Sequence, residues 1–247
     1  MPFNNNHTLD LSKFKYRIEL HNHTKHVSMC SGYDARKLVQ KYHELGFDGI
    51  AITNHYDQNR LDLYPDGKKY AEFYESGYLE ALEEGKKLGV KVYLGAEICF
   101  RHTYNDILVF GIDRNDLAEM YQYMDKDPKT MIENVKNDRR LLIQAHPFRK
   151  NIERLPSDVI SGFEVENISP GHNSSPGESY RYAAENPGYI ITPGSDCHAP
   201  KDAGLASIMA ETLPNNSFEL ADLLRSRRFI FNISGSIRIP ISFNYNP

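Results

Sequence analysis

Tryptophan is absent from this 247-residue chain, and cysteine is scarce: Cys30, Cys99 and Cys197, with no CxxC pair. An odd count without such a pair excludes a disulfide framework and favours a reducing compartment, so a cytoplasmic location is expected. No run of about 18 apolar residues occurs, so no membrane partner is expected. The opening stretch, MPFNNNHTLDLSKFK, lacks the apolar centre of a signal peptide. A basic excess is missing as well. With 29 Lys and Arg against 33 Asp and Glu, the net charge of −4 argues against a broad nucleic-acid face. It leaves room for a nucleotide or short oligonucleotide as substrate. No repeat or dividing linker is visible, so one domain is expected over 1–247, with a core of about 14–228 and a C-terminal extension over 229–247.

What is present is an alternation of short β-prone runs and helical stretches. Strands are expected at 16–20, 48–53, 91–97, 106–112, 141–145, 162–165 and 189–192. Helices are expected at 34–45, with Asp34 as N-cap and Gly46 closing, and at 70–88, closed by Gly89. Asp127-Pro128 opens another at 127–139, with proline at the first helical position. Two more fall near 178–185 and 217–225, and the tail 229–245 reads as an extra strand or loop. Such alternation implies an α/β protein with a mainly parallel sheet or barrel of about seven core strands.

Several of these runs end in chemistry. His21 and His23 follow the first strand, and residues two apart in extended chain share a face, so both can meet one ion. Taken alone, the pair reads more readily as two hydrogen-bonded, half-buried histidines. His55, His146 and His198 each follow an apolar run, and Asp196 with His198 repeats the two-apart spacing. Mixed imidazole and carboxylate sets suit zinc, manganese or iron. Glu97 closes KVYLGAE, and a carboxylate there has two oxygens with which to bridge two cations. Arg149, three residues past His146, offers a planar fork for a phosphate oxygen. Lys25 and His26 are further substrate-side candidates. Cys99 and Cys197 read as small packing residues.

The pieces ELHNHT, GFDGIAITNH, GAEI, AHPFR, EVEN and GSDCH run in this order from Glu19 to His198. Together they resemble the polymerase and histidinol phosphatase (PHP) family of metal-dependent phosphoesterases. The resemblance implies a distorted, TIM-like seven-stranded (β/α)7 barrel with two or three divalent ions in its mouth. It implies His21, His23, His55, Glu97, His146, Asp196 and His198 as ligands, with Glu97 bridging. Two stretches depart from the family pattern. A Ser-Asp or a His commonly follows the second histidine, where this chain has KHVSMCS at 25–31. A ligating His commonly precedes the fourth strand, where Asp106 precedes ILVFG. Asp106, His26 and Cys30 therefore share the candidacy for a third metal. Asn54 stands where TDH is common, which removes a charge beside the site.

The expected function is hydrolysis of a small phosphorylated substrate by a metal-activated water, with Glu97, His198 and Arg149 as the catalytic residues. Two rivals stand beside it: an amidohydrolase-type hydrolase, and a non-catalytic PHP-like binding domain. Residues alone do not choose the substrate, the metal or the oligomeric state.

Overall fold

The computed structural model describes residues 9–103 and 105–244. In chain order its elements are β1 (Tyr16–Glu19), α1 (Ala35–Glu44), β2 (Gly49–Ile52), β3 (His55–Asp57), α2 (Gly67–Leu88), β4 (Lys91–Leu94), β5 (Ala96–Cys99) and β6 (Ile107–Phe110). Then follow α3 (Arg114–Met120), α4 (Pro128–Val135), β7 (Leu141–Gln144), β8 (Gly162–Asn167), α5 (Pro176–Glu185), β9 (Ile190–Gly194), β10 (Ala206–Ala210), α6 (Ser217–Ser226), β11 (Phe229–Ile233) and β12 (Ser236–Arg238).

The helices start where side chains satisfy their free N–H groups. Asp34 accepts from the N–H of Arg36 and Lys37 at α1, and Asp66 does the same for Lys68 and Lys69 at α2. The second helix stops at Gly89, whose left-handed φ of 76° costs a glycine nothing. Leu38, Val39 and Tyr42 of α1 pack with Ile50, Ile52 and Val92 in one buried cluster. A larger cluster joins Ile18 and Ala51 to Leu108, Ile143 and Phe163 of the second sheet.

The strands form two mixed sheets of six strands each, in the orders β12-β11-β10-β1-β2-β4 and β3-β5-β6-β7-β8-β9. This corrects the expected closed seven-stranded ring: among the described residues the pairings make two open sheets. One reason lies at β5 to β6, where the connection spans only residues 100–106. A parallel crossover needs a dozen residues or more. The chain therefore turns back, and β6 runs antiparallel to both β5 and β7. On the other sheet β10 is antiparallel to β1 and β11, which brings the tail into the fold. Phe229 and Phe231 are fully buried there.

The expected run 91–97 is cut at Gly95, and 48–53 leads past Thr53 and Asn54 into β3. Both paths pass from the first sheet to the second at these breaks. Gly95 N–H donates to the Ile52 carbonyl at 3.0 Å and Glu97 N–H to the Asn54 carbonyl at 2.9 Å. Across the same end, Asn22 bridges Cys197 in parallel fashion. The strand ends that carry the candidate ligands therefore meet where the two sheets join.

Candidate metal centre

The extended chain after β1 sends His21 and His23 to one side and Asn22 to the other, where its Nδ2 donates to the Ala51 carbonyl at 3.0 Å. Both histidines are fully buried. Glu97, on β5, lies between four imidazoles. Its Oε1 is 3.2 Å from His21 Nε2 and 3.4 Å from His146 Nε2. Its Oε2 is 3.4 Å from His23 Nε2 and 3.5 Å from His55 Nε2. Asp196 closes the ring with Oδ1 at 3.2 Å from His23 Nε2, 3.5 Å from His21 Nε2 and 3.3 Å from His198 Nδ1. His146 and Asp196 hold left-handed backbones at φ 34° and 50°, a strained conformation of the kind that clusters at functional sites.

The seven expected ligands thus converge. Four groups have donor atoms within 4.8 Å of one another: His21, His23 and Glu97; His23, His55 and His198; His55, Glu97 and Cys99; Glu97, Asp106 and His146. Asp106 joins the centre through Oδ2, 3.7 Å from His146 Nε2. Cys30 stands at the rim with Sγ 3.6 Å from His55 Nε2. His26 does not join: it is exposed and lies against Phe73, ring centroids 5.6 Å apart. Lys25 is exposed as well, 3.9 Å from Asp34. Arg149 reaches the cleft, but its Nη2 already donates to Asp196 Oδ2 at 2.7 Å and Asn167 Oδ1 at 2.6 Å.

A second ring of groups orients these side chains. His21 Nδ1 donates to Glu164 Oε1 at 2.8 Å, which turns Nε2 inward. Ser28 Oγ donates to Asn54 Oδ1 at 3.0 Å, accepts from His55 N–H at 2.8 Å and lies 3.3 Å from His23 Nδ1. Asn54 thus acts on the centre through the 24–28 turn. Glu19 Oε1 accepts from the N–H groups of His21, at 3.2 Å, and Ser195, at 2.8 Å. Cys99 Sγ lies 2.9 Å from His55 Nδ1, so it is more than the packing residue expected. Glu19 and Cys99 are each two positions from a ligand candidate in extended chain, the one sequence signal that points to them.

The electrostatics fit a cation site. Burial alone would raise the Glu97 and Asp196 carboxyls, but the surrounding histidines, His21 foremost, together outweigh it and hold both well below the usual range. Burial pushes His23 down to about 3, with His55 adding to the effect. His21 is raised well above an ordinary histidine, because Glu164 and Glu97 overcome its burial. Burial and the Glu97 charge push Asp106 up to about 7. His21 Nε2, His23 Nε2 and Glu97 Oε1 are buried without a hydrogen-bond partner. Buried polar atoms are rarely left so, and here all three face one point, as ligands of divalent cations do.

Above the centre lies a cleft of about 380 Å³ whose walls include Cys30, Asp106, Arg149, His172, His198 and Lys201. A larger groove of about 770 Å³, bordered by Glu72 of α2 and Arg114 of α3, holds none of the candidate ligands. Among the described residues no helix is long and apolar enough to cross a membrane.

Two mixed sheets that meet at a cluster of His and carboxylate donors make an α/β fold with a candidate metal site. The model of the PHP domain matches residues 19–192, and the chain belongs to this family. No curated protein sequence matches the chain. Among solved structures it is similar to a two-domain protein from Bacteroides vulgatus ATCC 8482 that contains a predicted PHP-like metal-dependent phosphoesterase. That likeness has a TM-score of 0.66 at 15% identity and covers 90% of this chain and 66% of that one, so the chain spans about two thirds of this relative. A candidate metal-dependent phosphoesterase from Bifidobacterium adolescentis ATCC 15703 is similar with a TM-score of 0.54 at 16% identity, over 84% of this chain and 95% of that one. An amidohydrolase from Chromobacterium violaceum, with bound sulfate and no metal, is similar with a TM-score of 0.53 at 15% identity, over 76% of this chain and 89% of that one. At these identities the structural likenesses show the fold alone.

Proposed function

We propose that the protein hydrolyses a phosphate ester at a centre of two or three divalent cations. The observation that carries this is Glu97, one carboxylate facing the Nε2 atoms of four histidines, two on each oxygen. That is the disposition a bridging ligand needs. His21, His23 and Asp196 would hold one ion beside Glu97, and His146 with Asp106 would hold another. His55 and His198 would hold a third, with Cys30 at its edge. Divalent cations bound there would neutralise the phosphoryl oxygens and activate the attacking water.

The chain's own groups do the rest. Glu97 and Asp196 arrive ionised and so need no deprotonation to act as ligands. Glu164 and Ser28 hold His21 and His23 with Nε2 inward. Arg149 supplies fixed positive charge at the phosphoryl position while it braces Asp196. His198, its Nδ1 bonded to the Asp196 carbonyl at 2.9 Å, presents Nε2 for an ion. Glu97 already fills the bridging position between the four imidazoles, which disfavours a carbamate-bridged amidohydrolase.

The test is turnover of an aryl phosphate by protein loaded with Mn²⁺ or Zn²⁺, beside His21→Ala and Asp196→Ala. Wild-type turnover lost in both variants supports the reading. No turnover across a panel of monoesters, diesters and nucleotides overturns it.

A further inference from the structure

We propose that the ester's leaving group carries a second anionic group, bound by Lys150 in a side cleft that opens off the metal-facing one. This rests on the phosphoesterase reading and adds the class of ester to it. The side cleft also measures about 380 Å³ and shares Asp106, His146, Arg149 and His172 with its neighbour. Beyond that common wall it is lined by Lys150, Ile152, Gly171 and Asn173. A phosphoryl group over the ions would occupy part of the first cleft, and the group attached to it can extend past Asp106, His146 and Arg149 into the side cleft.

The charge in the side cleft is one-sided. Its single carboxylate, Asp106, belongs to the shared wall and faces His146. Arg149 is engaged by Asp196. Lys150, by contrast, has no ion-pair or hydrogen-bond partner among the described residues. His172 and Asn173 of the same lining offer polar groups, and Ile152 gives the body of a leaving group an apolar surface.

Both walls are built rather than loose. On one side Gln144 is buried and donates from Nε2 to the Glu153 carbonyl at 2.6 Å. Its Oε1 accepts from Leu155 N–H at 3.0 Å. Asn105 Oδ1 accepts from Glu153 N–H at 3.1 Å. On the other side Asn167 Oδ1 accepts from Ser169 N–H at 3.2 Å, and Asn173 Oδ1 from Ser175 N–H at 2.9 Å. A preformed cleft with one unanswered cation suits an anion brought by the substrate.

The experiment compares three esters on the Mn²⁺-loaded protein: 4-carboxyphenyl, 4-(phosphonomethyl)phenyl and the neutral 4-carbamoylphenyl phosphate. Wild-type kcat/KM should favour at least one anionic ester over the neutral one by about tenfold, as expected for one charge pair in a half-open cleft. The two anionic arms separate a carboxylate from a second phosphoryl-type group. Lys150→Gln should bring that ratio to within about twofold, because it removes the charge and leaves a polar side chain. A wild-type ratio near one, or a ratio that survives Lys150→Gln, overturns the inference and leaves the phosphoesterase reading standing. Absence of turnover on all three esters overturns both.

Discussion

His21 donates from Nδ1 to Glu164 Oε1 at 2.8 Å, while Glu164 Oε2 accepts from the backbone N–H of His146 at 3.0 Å. One carboxylate thereby fixes the ring of one ligand and the backbone of another, although the two come from opposite sheets. The contact needs Gly194: a Cβ there would lie 1.9 Å from Glu164 Oε1 and 3.0 Å from His21 Cβ. Glu164→Ala and Gly194→Ala are both expected to weaken metal binding by about 10- to 100-fold, the usual cost of losing such an outer partner. Chelator competition measures it. Unchanged affinity in Glu164→Ala would show that His21 is held by something else.

Metal counts should separate the ligands by role. Glu97→Ala removes the group common to three of the four ligand sets and is expected to empty the centre. Asp106→Ala touches only the set with Glu97 and His146, and is expected to lower the stoichiometry by one ion. Elemental analysis of both purified variants decides this; equal loss in the two would contradict the bridging role of Glu97.

Metal uptake should depend on pH with a definite sign. In the metal-free centre His21 and His146 are raised and hold protons, and Asp106 titrates near about 7. A cation must displace those protons, so they are released on binding and affinity rises with pH through that region. Calorimetry at pH 6.5 in buffers of different ionisation enthalpy reads the number released. A binding heat independent of buffer would sink the expectation.

Stability away from the site should rest on Arg140. Its side chain is 1% exposed and donates to Asp116 Oδ1 from Nη2 at 2.6 Å and Nε at 3.1 Å, and to the Val135 carbonyl at 3.0 Å. Asp116→Ala leaves that guanidinium with Glu119, 2.7 Å away and half exposed, as its one acidic partner and is expected to cost about 2 kcal/mol. Urea denaturation measures it, and turnover per folded molecule should be retained.

The tail should behave as part of the structure. Phe231 is fully buried on β11, within the main cluster. Phe231→Ala is expected to cost about 3–5 kcal/mol through lost burial and an unfilled cavity. A loss below about 1 kcal/mol would mean that 229–247 is dispensable.

Much of the centre was legible in the chain because ligand chemistry repeats a local pattern. His21, His23, Asp196 and His198 are spaced two apart at strand ends, and the structure brings them together. Helix signals were local too: Asp34, Asp127 and Gly89 do what capping residues do. Other features depended on distance in space. His26 and Cys30 looked alike beside His23, yet the 24–28 turn sends one against Phe73 and the other toward His55. Asp106 gave no local sign of joining His146; the antiparallel β6–β7 ladder sets them side by side.

The sequence by itself determined the ligand types, their order and the ends of strands on which they stand, since composition and two-residue alternation are properties of the chain alone. Only the tertiary structure decided that the strands form two open mixed sheets, that Glu97 faces four histidines, and that Glu164 and Cys99 hold two of them. Those facts depend on strand direction and register between segments far apart in sequence. Pairing energy across the core sets them, and no local pattern records it.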